Sequence, residues 1–101
     1  MKPLELISKS LESYLKVKLC DNSLSVVANY SDEQSLPIKS YRKATVTVAA
    51  VSIRNGNAYT DQILSISENY NHGTTSEEEA KDSILKMLLI RIMEMIDTKE
   101  I

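Results

Sequence analysis

Apolar residues recur at helical spacing in the first part of the chain. The repeat consists of Leu4, Ile7, Leu11, Tyr14 and Leu15. Residues three or four positions apart lie on one face of a helix. We therefore predict a helix over residues 3–18, in which Pro3 occupies the first position, where no amide donor is required.

Alternating apolar and polar residues predict three strands in the middle of the chain. The first covers residues 23–30 and is followed by a polar loop at 31–35, and the clearest covers residues 43–54. Asn55-Gly56 comes directly after it and is a strong hairpin signal. We therefore expect residues 59–70 to return as the third strand.

The middle strand has apolar residues on both of its faces. Val51 and Ile53 fall on the same side as Thr45 and Thr47. Either a bulge exchanges the two faces along the strand, or both faces are covered at its far end.

A second helix is predicted from about Glu77 to about Asp97, and it is unusually apolar. Thr75 or Ser76 caps it, since each has a glutamate three residues later. From residue 84 to residue 96, ten of thirteen residues are apolar. Eight of them cover an arc of about 180°, whereas a helix on one face of a small sheet needs about 100°.

This excess of apolar surface has two explanations. Either the last helix is central, between the sheet and the first helix, or part of its surface is left for another chain. The candidate interface residues are Met87, Leu89, Ile90, Met93 and Ile96.

Together the elements predict an α+β fold in the order α-β-β-β-α. It has a three-stranded antiparallel sheet with a long hairpin, strand order 1-2-3, and both helices packed on one face. The predicted core consists of Leu4, Ile7, Leu11, Val26, Val46, Val48, Ile66, Ile84, Leu85, Leu88, Leu89 and Ile92.

Composition indicates an ordinary globular protein. The chain has 101 residues, of which 43% are hydrophobic and 26% are charged, and this predicts one domain over residues 1–101. It has no apolar run of about twenty residues and no secretory signal at its start. A single cysteine, Cys20, fits a reducing compartment. We therefore expect a cytoplasmic protein without membrane contact, or a virion-associated one if a phage encodes it.

Charge is distributed unevenly along the chain. Residues 1–60 carry eight basic and five acidic side chains, whereas residues 61–101 carry four and nine. The acidic second half argues against a nucleic-acid partner. A small basic, aromatic patch is a candidate contact for a phosphate or an acidic partner, or a solvated strand entrance: Lys39, Tyr41, Arg42 and Lys43.

Residues for catalysis or metal binding are scarce. His72 is the single histidine and Cys20 lies in a different element, so neither a zinc site nor a cysteine–histidine pair is expected. The glutamates at 77–79 point about 100° apart on a helix and suit its N-terminus. The chain has two glycines, too few for a phosphate loop. We predict no enzyme activity, no cofactor and no small-molecule substrate.

Residues 73–81 read Gly-Thr-Thr-Ser-Glu-Glu-Glu-Ala-Lys and lead into the second helix. Their spacing resembles the Ser-Lys-Lys-x-Ala-Lys entry to the last helix of double-stranded-RNA-binding domains, a family that shares the α-β-β-β-α order. Glu77 and Glu78 stand where the family has two phosphate-binding lysines, and they repel phosphate. The resemblance implies a similar fold with weak or absent RNA binding.

The leading functional hypothesis is a non-catalytic protein-interaction or assembly subunit that self-associates through the last helix. At fold level, the long hairpin and apolar helix resemble small phage tail-completion and connector subunits, which form rings. An inhibitor or immunity-type protein that masks a partner enzyme is the alternative, and a degenerate double-stranded-RNA-binding-like domain is a further one.

Overall fold

A computed structural model describes residues 2–34 and 40–101, and this part of the chain forms two helices and three strands. The elements are α1 (Lys2–Leu19), β1 (Ser25–Gln34), β2 (Tyr41–Arg54), β3 (Asn57–Asn71) and α2 (Glu77–Asp97). The strands form an antiparallel sheet in the order β1-β2-β3. The predicted α+β class, element order and strand order are confirmed.

The chain divides into two compact units. The first unit comprises Met1–Asn29 and Thr47–Leu64, and therefore holds α1, the hairpin turn and the strand segments next to them. The second unit comprises Tyr30–Val46 and Ser65–Ile101, and holds α2 with the other strand segments. A single domain over residues 1–101 stays a prediction.

In the first unit, the apolar face of α1 and the adjoining strand segments form the core. The buried apolar side chains of this unit are Leu4, Leu11, Leu15, Leu24, Val26, Val48 and Leu64. The hairpin turn has positive φ at both central residues, 53° at Asn55 and 79° at Gly56. This is the type I′ geometry that Asn-Gly favours, so the predicted hairpin is confirmed.

A carboxylate of α1 accepts a hydrogen bond from a backbone N–H of β1, which is an edge strand. Glu12 Oε1 accepts a hydrogen bond from the Val26 N–H at 2.9 Å, and Lys16 Nζ lies 3.7 Å from Glu12 Oε2. The hydrogen bond from Val26 lowers the pKa of Glu12. Burial acts to raise this pKa, and the charge of Lys16 lowers it further. Covering an edge donor in this way also removes a pairing site for foreign strands.

We expect Glu12→Ala to lower the free energy of unfolding by about 1 kcal/mol, because the Val26 N–H loses its charged acceptor. Glu12→Gln should cost less, since its amide oxygen accepts the same bond. Urea denaturation at neutral pH measures both. Ser13→Ala, at an exposed position in the middle of the same helix, is the control, and an equal loss in it would contradict the role of Glu12.

In the second unit, α2 begins at a complete capping box. Ser76 Oγ accepts from the Glu79 N–H at 3.1 Å, and Glu79 Oε1 accepts from the Ser76 N–H at 3.3 Å. Ser76 is therefore the cap rather than Thr75, and its reciprocal bonds satisfy two amides at the helix start. The buried residues of α2 are Ala80, Ile84, Leu85, Leu88, Ile92 and Met95.

The buried side of β2 stays on the even-numbered positions of the strand. Buried side chains occur at even positions, namely Ala44, Val46, Val48 and Ser52. Val51 is half-buried and Ile53 is exposed. The bulge considered for β2 is therefore not observed, and its far end is not covered on both faces either, because Ile53 points away from the buried side.

Four predictions about the core and the loops need correction. Ile7 and Ile66 are half-buried rather than fully buried. Leu89 is exposed, because it lies about 100° around the helix from Leu88. Residues 31–34 of the polar segment predicted as a loop are instead the end of β1, which extends to Gln34, and Ser35 lies outside the described residues.

Candidate interaction surface on the last helix

Apolar side chains continue around α2 onto its exposed side. Leu89, Ile90 and Met93 are 47%, 57% and 57% exposed. At about 100° per residue, Leu89 lies about 40° from Met93, and Ile90 lies about 60° from it on the other side. Ile96, which is half-buried, extends the surface by one turn. We call Leu89, Ile90, Met93 and Ile96 the outer stripe.

Met87 is the remaining candidate interface residue, and it lies at the margin of the outer stripe. Its side chain is 40% exposed and lies about 60° from Ile90 and about 120° from Met93 around the helix. Its other neighbours are Arg91 and Glu94, which form an ion pair at 3.5 Å. The structure therefore places four of the five predicted interface residues on one face and Met87 at its edge.

The first unit also exposes large apolar side chains, namely Leu6, Val17, Leu19, Val27 and Ile53. Val17 of α1 is 80% exposed, and its neighbours one turn before it are Ser13 and Tyr14. Single exposed apolar side chains of this kind are normal on protein surfaces. In contrast, Met93 has apolar neighbours of the outer stripe both one turn before it and one turn after it.

The predicted basic patch is not brought together in the described residues. Lys39 lies outside them. Tyr41 and Lys43 are exposed at odd positions of β2, whereas Arg42 faces the opposite side, because successive strand residues alternate. The guanidinium of Arg42 binds Asp32, with Nε 2.6 Å from Oδ1.

Asp32 is the centre of a polar cluster in the second unit that our sequence analysis did not predict. Its side chain is 6% exposed. Tyr70 donates its hydroxyl to Asp32 Oδ2 at 2.5 Å, and Tyr30 donates to the same oxygen at 3.2 Å. Arg42 donates to Oδ1 and, through Nη2, to the Asp32 carbonyl at 3.2 Å. We call these four residues the Asp32 cluster.

The Asp32 cluster links all three strands and holds its carboxylate in the charged state. Burial acts to raise the pKa of Asp32, but hydrogen bonds from Tyr70, Arg42 and Tyr30 outweigh it, and the pKa lies below its ordinary value. Burial and the Asp32 charge raise the pKa of Tyr30. Both carboxylate oxygens are occupied, which suits a structural cross-link between strands. The one sign of the Asp32 cluster in the sequence is that Asp32 lies two positions after Tyr30.

Lys81 connects α2 to this cluster. Its Nζ lies 4.8 Å from the centroid of the Tyr30 ring, within the range of a cation–π interaction. Ser83 of the same helix donates to Glu68 Oε2 of β3 at 3.2 Å. These contacts hold the first half of α2, whereas the outer stripe lies in its second half.

The single histidine contacts the Asp32 cluster, and the single cysteine belongs to the first unit. His72 follows β3, where its ring meets Tyr70 edge-on at 6.4 Å between centroids. Cys20 is exposed at the end of α1. Within residues 2–34 and 40–101, no three His, Cys, Asp or Glu side chains are grouped as a metal site would require. Neither helix of the described chain has the length and apolar character needed to cross a membrane.

Comparisons with protein-family models, curated proteins and solved structures found no match to this chain. The candidate interaction surface therefore rests on the exposed fractions and the contacts of the α2 side chains.

Proposed function

We propose that this protein is a non-catalytic assembly subunit that self-associates through the outer stripe of α2. The observation that carries the proposal is the exposure of Leu89, Ile90 and Met93 side by side on one face of a capped helix. Burying such a face against another copy removes apolar area from water, and each square ångström contributes about 25 cal/mol.

The opposite side of α2 supports the proposal, because it already supplies the core. Ile84 and Leu88 are fully buried, so the core contact of α2 is centred on that side of the helix and not on the outer stripe. A contiguous apolar surface outside the centre of the core is typical of an interaction site. An exposed thiol at Cys20 fits the reducing cytoplasm that we propose as its location.

Light scattering on a sizing column, over a range of protein concentrations, tests self-association directly. We expect the unmodified protein to form a dimer or a larger ring whose mass falls on dilution. Leu89→Glu and Met93→Glu, separately and together, should shift the mass to that of a monomer, because each places a charge within the apolar contact.

Val17→Glu is the matched control, since it makes the same chemical change at an exposed apolar position of the other helix. It should leave the mass unchanged. Circular dichroism should show that all the variants keep their helices. A protein that is monomeric at every concentration contradicts self-association, and unfolding of both outer-stripe variants would return these residues to the core.

A further inference from the structure

Opposite charges mark the two ends of the outer stripe. Lys86 lies one turn before Ile90, and Asp97 lies one turn after Met93. At about 100° per residue the two charged residues lie about 20° apart around the helix, and they are about 16 Å apart along it. Both are exposed.

Within the described chain, neither of these two charges forms an ion pair. Another basic residue of this helix, Arg91, is engaged by Glu94 and Glu100 on a different side, with Nη2 3.3 Å from Glu100 Oε1. Lys86 and Asp97 are therefore charges on the face of the outer stripe that remain available to a second copy.

The direction of the second helix decides what these charges meet. In a parallel pair of α2 helices, Lys86 faces Lys86 of the second copy, and the two Asp97 side chains face each other. In an antiparallel pair centred between Ile90 and Met93, each Lys86 faces Asp97 of the second copy. Opposite charges across an interface favour one register, and like charges oppose the other.

We infer that two copies pack their α2 helices antiparallel about a twofold axis, with Lys86 of each copy against Asp97 of the other. This inference rests on the proposed self-association and specifies its partner surface. Across the axis, Ile90 of each copy faces Met93 of the other, and Leu89 of each copy lies near Met93 of the other. The contact is isologous, because the same patch is used by both copies.

Charge reversal distinguishes the two directions. In the antiparallel pair, K86E and D97K should each weaken the dimer about tenfold in buffer with about 50 mM salt, because each creates two like-charge contacts. The K86E/D97K double variant should return the dissociation constant to near its original value. In a parallel pair, either single change exchanges one like-charge pair for another and leaves the affinity almost the same.

The two single variants move the net charge in opposite directions, so a loss of affinity in both excludes an effect of overall charge. K43E and D61K, at exposed positions outside α2, are the matched controls and should keep the original affinity. The loss should shrink in about 1 M salt, where charges are screened within about 3 Å.

Sedimentation equilibrium gives the dissociation constants. A dimer that K86E and D97K leave unchanged, or that the double variant fails to restore, overturns the antiparallel register and keeps self-association. A monomeric unmodified protein overturns the proposed function itself, so the two failures are distinguishable.

Discussion

Leu88→Ala is expected to lower the free energy of unfolding by about 3 kcal/mol, the typical cost of removing a fully buried leucine side chain. Leu88 is 0% exposed, so truncation leaves a cavity in the core beneath α2. The adjacent change, Leu89→Ala, should cost about 1 kcal/mol, because about half of this side chain is already in solvent and alanine suits a helix.

Urea denaturation of both variants at low protein concentration measures this contrast, since dilution removes any contribution from self-association. The pair is internally controlled, because the residue type, the helix and the substitution are the same. Equal losses in the two variants would contradict the division of α2 into a core side and an outer stripe.

Asp32→Asn is the second change with a large expected effect, about 2 kcal/mol of unfolding free energy at neutral pH. The side-chain amide of asparagine keeps the shape of the carboxylate, but it removes the negative charge that pairs with Arg42. The tyrosine hydroxyls then face either an N–H group, which cannot accept their hydrogen bonds, or a neutral oxygen, which accepts them less strongly. Breaking one member of a buried charged network leaves its other members unpaired, and this is the costly part. The partly exposed guanidinium of Arg42 recovers some hydration, which limits the loss.

The pH dependence of the same variant follows from the sign of the pKa shift. Because the pKa of Asp32 is lowered from 3.8, its charged form is favoured by folding. The stabilisation is complete above about pH 4 to 5 and is lost as the pH falls through the lower pKa of the folded state. Between about pH 5 and pH 2, the original protein should therefore lose more stability than Asp32→Asn does.

Chemical denaturation at a series of pH values tests both parts of this prediction. Asp61→Asn, at an exposed position of β3, is the matched control and should leave the free energy of unfolding at neutral pH within about 0.5 kcal/mol of the original. An Asp32 variant as stable as the control would show that the Asp32 cluster contributes nothing to the fold.

Much of the fold is visible in local patterns, because these patterns are set by neighbouring residues. The capped second helix, the type I′ turn at Asn55-Gly56 and the alternation of β2 each depend on a few consecutive residues. The same reasoning fails where distant residues meet. From the sequence, Glu12 is expected on the solvent-facing side of the helix, yet its carboxylate accepts a hydrogen bond from the Val26 N–H of β1.

The candidate site divides in the same way. The excess of apolar residues in α2 is a property of composition and helical spacing, so the interface candidates are accessible to sequence analysis. Spacing does not say where the core ends, and Leu89 was therefore placed in both sets. Packing decides it, since the buried side of α2 is centred on Ile84 and Leu88.

The order α-β-β-β-α, a capped start of α2 at Thr75 or Ser76, and the apolar excess of α2 follow from the sequence alone, because capping, turn chemistry and periodicity act over a few residues. Only the tertiary structure decided that Asp32 and Arg42 form a buried pair with two tyrosines, and that Leu89, Ile90 and Met93 remain exposed. Ion pairing and burial depend on which strands become neighbours, and no pattern over a few residues specifies that pairing for strands distant in the chain.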